Sequence, residues 1–219
     1  MFINIHTHRK PHLADEYVVR NAFGIKLKSI KSLGYSVSTG IHPWQVKQDN
    51  SEAINNIEAN LHLTNVIAIG ECGLDRVHGP EMKIQTEIFL RHIELANKFN
   101  KPLILHLVKT YSDILSYASG MKTPWIIHGF KGNLNEATTL ISKGASLSFG
   151  PRLIFSPELQ NIFKSLPIEH IYLETDTKPM HINEMYEFTC KLLRIPLEQL
   201  KDSIKLKFER DFSVVLPLV

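Results

Sequence analysis

Two histidines stand one residue apart near the start of the chain, in Ile3-Asn4-Ile5-His6-Thr7-His8. On an extended strand the i, i+2 spacing sends both imidazoles to the same face. Neutral imidazole ligates zinc and other first-row divalent ions, and carboxylates complete such donor sets. The spacing alone is weak, because it also occurs in ordinary strands. Its weight comes from residues far downstream. His42 follows Ser38-Thr39-Gly40-Ile41, Glu71 follows the apolar run 66–70, and His106 ends the run that starts at Pro102. His128 ends Trp125-Ile126-Ile127, and Asp176 follows the run 171–175. Each polar group falls at the C-terminal end of a short apolar stretch. If those ends meet, they form a metal site. Carboxylates shared between ions would hold two metals roughly 3.5–4 Å apart, the arrangement used for phosphodiester hydrolysis.

The elements that must position these residues are readable as a rhythm. Short apolar runs at 2–5, 17–23, 35–41, 66–70, 102–107, 125–129, 145–150 and 171–175 predict strands, several of them buried on both faces. Helical stretches lie between them. Ser51 is placed to cap a helix that carries Ile54, Ile57 and Leu61 on one face. Residues 81–99 put Gln85, Phe89, Ile93 and Ala96 on one stripe. Asn133 can cap the next helix, with Gly144 ending it in the left-handed region. Pro157 can open another helix, and Pro196 separates two C-terminal helical stretches. Alternating strand and helix implies a parallel sheet with right-handed crossovers. About eight strands at this spacing predict an α/β fold, a TIM-type (β/α) barrel of regular or irregular form. An open doubly wound sheet is the alternative that periodicity leaves open. In a barrel all the strand ends named above meet at one mouth, where such folds carry their active sites.

Composition sets the outer bounds. The 219 residues are 43% hydrophobic and 21% charged, ordinary values for a globular chain with a sizeable core. No linker or repeat divides the chain, so residues 1–219 read as one domain. A net charge of +3 is too small to argue for nucleic acid by itself. Cys72 and Cys190 do not make a disulfide framework, and a reducing cytoplasm is the plain expectation. No apolar segment approaches a membrane-spanning length, and polar residues follow Ile3 and Ile5 too soon for a signal-peptide core.

At the same residues the sequence resembles the TatD family of metal-dependent hydrolases. The matching motifs run in order through the chain: Asn4–His8, Gly40–Pro43, Gly70–Asp75, Pro102–His106, Ile126–Gly132 and Leu173–Asp176. The pair Gly-Glu-Cys-Gly-Leu-Asp and Glu-Thr-Asp is the most telling. The resemblance implies a TIM-type barrel, two divalent ions (zinc, magnesium, manganese or nickel) and a deoxyribonuclease or other phosphoesterase activity. It implies that His6, His8, Glu71 and Asp176 hold one ion, and that Glu71, as a bridge, with His106 and His128 holds the second. Asp176 would also act on the attacking metal-bound water, as ligand or general base, with Glu71 as the other catalytic carboxylate. Glu174 matches a position that in some members helps hold an additional ion, and His42 a substrate- or phosphate-contacting position. DNA or another phosphate ester is the implied partner, with no membrane and no obligate protein partner.

The chain departs from that pattern in places. Asn4 stands where such proteins often have Asp, Trp44 where many have His, and Val108 where they often have Arg. The chain is shorter than typical members, and the segment after Asp176 is abbreviated. The departures fall on substrate-binding parts, while the ligand positions are kept. Two alternatives therefore stand beside the nuclease reading: hydrolysis of another ester, such as a phosphate monoester, and metal binding with little catalysis. Cys72, next to Glu71, should face away from the site as core. Asp75 reads equally as a catalytic acid or as the holder of the loop after Glu71. Trp44 reads as a base-stacking ring or as a half-buried rim aromatic. His12, His62, His78, His92, His170 and His181 take no role.

Overall fold

The computed structural model describes residues 1–22 and 27–216. Phe23, the last residue of the second predicted strand, lies outside them. The chain alternates strand and helix: β1 (Phe2–Thr7), β2 (Glu16–Asn21), α1 (Leu27–Lys31), β3 (Ser36–Thr39), α2 (Ser51–Asn60), β4 (Val66–Asp75), α3 (Met82–Phe99) and β5 (Leu103–Val108). Then come α4 (Tyr111–Ile114), β6 (Trp125–Ile127), α5 (Leu134–Ser142), β7 (Ala145–Phe149), α6 (Arg152–Phe155), α7 (Pro157–Lys164), β8 (Ile171–Leu173), α8 (Ile182–Leu193) and α9 (Leu197–Phe212). The eight strands are parallel and ordered β1 to β8, each paired with the next. A parallel bridge between Thr7 and Asp176 brings the last strand back to the first. This is a (β/α) barrel in one domain, and the open-sheet alternative is excluded.

The local chemistry follows the residues. Every residue of β1, β4 and β7 is buried, as continuous apolar runs require when both faces are covered. Helix α3 buries Gln85, Phe89, Ile93 and Ala96 along the expected stripe, joined by Ile88 and His92. Asn133 caps α5 in a reciprocal pair with Glu136, and Gly144 has φ 94° just past its end. Pro157 opens α7 behind a Ser156 cap, and Pro196 precedes α9. Ser51 is the first residue of α2 rather than its cap. Asn50 ahead of it spends its side chain on the Lys47 backbone, and Asp49 accepts from the Ser51 N–H at 2.9 Å. The helix thus starts one residue earlier than the serine cap predicts, with no side-chain cap from Asn50.

The seam between β8 and β1 is closed by side chains as much as by ladder. The Tyr186 hydroxyl, carried on α8, accepts from Ile3 N at 3.0 Å and donates to Ile3 O at 3.1 Å. Asn4 accepts from Thr175 N at 3.1 Å, and its Nδ2 donates to Thr175 Oγ1 at 2.9 Å. Asp176 N donates to His6 O and His8 N to Asp176 O, both at 3.1 Å. Thus the strand ends bearing the predicted site residues are locked together where the barrel meets itself. Because Tyr186 is fully buried and serves both backbone groups of Ile3, Tyr186→Phe should cost about 1–3 kcal/mol. Urea denaturation measures this; no loss would show that Ile3 finds other partners.

Candidate metal centre

Glu71 organises the mouth of the barrel. It stands at a bulge in β4: Gly70 pairs with Ile104 and Cys72 with Leu105, so Glu71 has no partner across the ladder. Gly70 makes the bulge possible. Its φ is 142°, and a Cβ there would lie 2.3 Å from Ile104 O. The neighbouring Cys72 is fully buried in the core, as strand alternation predicts.

The two carboxylate oxygens of Glu71 face two different histidine groups. Oε2 lies 3.5 Å from His6 Nε2 and 3.5 Å from His8 Nε2. Asp176 Oδ1 joins this group, 3.7 Å from His6 Nε2 and 3.5 Å from His8 Nε2. Oε1 lies 2.9 Å from His128 Nε2, 3.0 Å from His106 Nδ1 and 3.1 Å from His42 Nε2. The donor atoms of His6, His8 and Glu71 all lie within 4.8 Å of one another, as do those of His42, Glu71 and His106. The predicted residues His6, His8, Glu71, His106, His128 and Asp176 are therefore brought together at one place. His42, read from the resemblance as a substrate contact, stands as near Glu71 as the other histidines.

The first group fits a divalent ion. Donors about 2.1 Å from one ion stand roughly 3.0–3.5 Å apart, close to the spacings around Glu71 Oε2. Both ring nitrogens of His6 are buried without a hydrogen-bond partner among the described residues. Buried polar atoms are seldom left in that state, and a cation at Nε2 supplies a partner.

Neighbouring groups set which nitrogen each imidazole presents. His106 Nε2 lies 3.3 Å from Asp75 Oδ2, which leaves Nδ1 for Glu71. His128 Nδ1 lies 3.4 Å from the buried Glu174 Oε1, which leaves its Nε2 for Glu71. Glu174, matched through the resemblance to an additional ion, thus backs His128 in this structure. His42 precedes the short 3-10 helix Pro43–Gln45, and its Nδ1 accepts from Trp44 N at 3.2 Å, turning Nε2 inward. Gly40 lets this loop approach β4, since a Cβ there would sit 2.8 Å from Gly70 Cα.

Charge in the cluster is strongly coupled. Burial pushes the Glu71 carboxyl up, but His128, His106 and His42 outweigh it and hold it far below the usual carboxylate range. Burial pushes His128 down, yet Glu71 and Glu174 on either side raise it well above an ordinary histidine. Burial also opposes ionisation of Glu174, and His128 again outweighs it.

Asp75, open at the sequence level between catalyst and loop holder, holds both the loop and the site. Its Oδ1 accepts from Val77 N at 2.7 Å and His78 N at 2.9 Å. Its Oδ2 accepts from Trp44 Nε1 at 2.6 Å and meets His106. Sequence reasoning missed Asn21, whose Nδ2 donates to Glu71 Oε2 at 3.1 Å. An asparagine at a strand end carries no distinguishing signal. It also gave no role to His92, which sits buried on α3. Its Nε2 accepts from Ile41 N at 3.0 Å and its Nδ1 meets Ile88 O at 2.7 Å, steadying the backbone just before His42.

A parallel (β/α) barrel with a histidine–carboxylate cluster at the C-terminal ends of its strands defines a class: barrel hydrolases that work with bound metal. Within that class the family can be named. A profile described as "TatD related DNase" matches residues 21–213, and the chain belongs to this family of metal-dependent hydrolases. The match takes in His42, Glu71, His106, His128, Glu174 and Asp176, while His6 and His8 precede it. The chain is 30% identical over 184 residues to the "Uncharacterized metal-dependent hydrolase BU355" of Buchnera aphidicola, covering 78% of this chain and 69% of that one. It is 31% identical over 157 residues to the "Putative deoxyribonuclease TATDN1 homolog" of Encephalitozoon cuniculi, covering 69% of this chain and 55% of that one. Among solved structures, the TatD homolog YJJV of Escherichia coli superposes with a TM-score of 0.84 at 19% identity over 98% of both chains. That likeness carries the barrel fold.

Two predictions follow from this geometry. Asp75→Asn presents an N–H where Trp44 and His106 need an acceptor, so metal affinity should fall about 10- to 100-fold. Competition with a chelator measures it, and unchanged affinity would remove Asp75 from the support of His106. The second concerns His92, which burial pushes down to about 4. Unfolded, it titrates near 6.5. The unfolded chain therefore takes up the proton first as pH falls. Stability present above pH 6.5 should drop by about 3 kcal/mol as pH falls to 4. Relative to His92→Gln, wild type should lose that margin over the same interval in denaturant titrations. A constant difference would contradict it.

Proposed function

We propose that the protein is a two-metal phosphodiesterase that hydrolyses DNA. The observation that carries this reading is the division of Glu71: one oxygen faces His6 and His8, the other His42, His106 and His128. A carboxylate shared in this way suits two ions side by side. His6, His8, Glu71 and Asp176 would hold one, and Glu71, His106 and His128 the other, with His42 turned toward the same face where the phosphate enters. Zinc, magnesium, manganese and nickel all suit such donors. When bound, the ions acidify a water and draw charge from the phosphate oxygens.

The chain's own residues complete the reaction. Asp176 is the carboxylate of the cluster most open to solvent, its side chain 35% exposed against 6% for Glu71. It takes the proton as the water oxygen forms its bond to phosphorus and the bond to the leaving oxygen breaks. The leaving oxygen regains a proton from solvent at the open mouth. Glu71 stays ionised between the two histidine groups. Glu174 and Asp75 fix the rings of His128 and His106. The name of the Encephalitozoon relative favours DNA as substrate. A smaller phosphate ester is the second reading, favoured by the modest mouth pocket of about 340 Å3.

His6→Ala and His106→Ala should each reduce cleavage of a DNA oligonucleotide to background while the fold, followed by circular dichroism, is kept. Elemental analysis should show metal lost alongside activity. Chelation of the wild type should do the same, and one of the four ions should restore cleavage. Full activity in either variant would overturn the assignment. Turnover of phosphate monoesters without DNA cleavage would favour the second reading.

A further inference from the structure

Trp44 occupies an unusual position at the mouth. Its side chain lines the same pocket as His8, His42, Glu71, His106 and Asp176, yet the residue is 55% exposed. The indole N–H is committed to Asp75 Oδ2 at 2.6 Å, so the ring is held in one orientation and offers a ligand only its π surface. Its ring contacts are edge-on or tilted: His42 at 4.8 Å and 79°, His78 at 5.2 Å and 52°, His106 at 5.9 Å and 80°. None of these rings lies flat against the indole. A large, fixed aromatic surface is thus open to solvent one ring's breadth from the Glu71 cluster.

We propose that Trp44 is a stacking platform for the nucleobase beside the bound phosphate, so that the mouth favours nucleotide esters over base-free ones. This inference rests on the phosphate-ester reading of the cluster. Stacking on an aromatic ring tolerates any base, because every base has a π face. The platform therefore confers preference for nucleotides without sequence selectivity. The tie to Asp75 matters for the same reason. Asp75 also meets His106, so the base-binding ring and a ligand-bearing histidine share one anchor. A ring positioned before the ligand arrives loses little freedom on binding.

The chain has two tryptophans, and Trp125 is only 3% exposed, so fluorescence can follow Trp44 over a buried background. The full chain, supplied with magnesium, is titrated with deoxyadenosine 5′-monophosphate and with deoxyribose 5-phosphate, and affinities are measured in parallel by equilibrium dialysis. The nucleotide should quench the emission saturably and bind about 5- to 100-fold tighter than the base-free sugar phosphate. Trp44→Ala should lose most of that margin, and Trp44→Phe should keep much of it. Equal binding of the two probes to wild type, or an intact margin in Trp44→Ala, would overturn the platform. DNA cleavage without a base-dependent margin would overturn this inference alone. A base-dependent margin without hydrolysis of any phosphate ester would support the platform and sink the phosphodiesterase reading.

Discussion

A single buried carboxylate, Glu71, with a histidine group on each oxygen, is the constraint that the rest of the mouth serves. Two ring nitrogens approach one of its oxygens and three approach the other. Burying a carboxylate is costly unless partners surround it. Here the partners come from β1, β5, the end of β6 and the loop after β3, so the charge can be held only when the barrel has closed. Closure and the gathering of the histidines therefore depend on the same group. The fold has no economical way to keep Glu71 where it is without also collecting the donors of a metal site.

Closure depends on small backbone devices. Glu71 projects because β4 carries an extra residue there, and Gly70 permits the bulge against Ile104. At the seam, Tyr186 takes over the hydrogen bonds of Ile3, and Asn4 grips Thr175 next to Asp176. Asn4 in place of the usual aspartate of the resembling family does not loosen this seam. Its amide both accepts from the backbone and donates to the hydroxyl, and it reaches Glu16 as well. A carboxylate at that position could accept but not donate.

Much of this was readable before the structure. An apolar run ending in His, Glu or Asp is a local signal, and eight apolar runs at barrel spacing, six of them ending so, put those ends at one mouth. The stripe on α3, the cap at Asn133 and the helix start at Pro157 are equally local. What stayed hidden was relational. Gly70, Cys72 and Gly73 interrupt strand periodicity, so nothing in the sequence marked β4 as continuing to Asp75. Gln85 reads as one more stripe residue. Only in three dimensions does its amide accept from Asp75 N and donate to Asp75 O, clamping the end of that strand. Asn21 and His92 act on residues 50 and 51 positions away, and Tyr186 on one 183 away. No periodic pattern reports pairings of that kind.

Asp75 ties the indole at the rim of the mouth to an imidazole of the cluster. Its two oxygens serve four groups: two amides of its own loop, the indole of Trp44 and the ring of His106. Burial alone would raise its carboxyl, but these donors, Trp44 foremost, hold it below the ordinary range and so keep it an acceptor. The indole and the imidazole meet the same oxygen, Oδ2. A histidine at position 44 would be a smaller ring. The tryptophan instead spans from Asp75 out to solvent, extending the ordered part of the site beyond the histidines to the rim. Tryptophan at this position thus adds aromatic surface at the mouth and leaves the donor cluster intact.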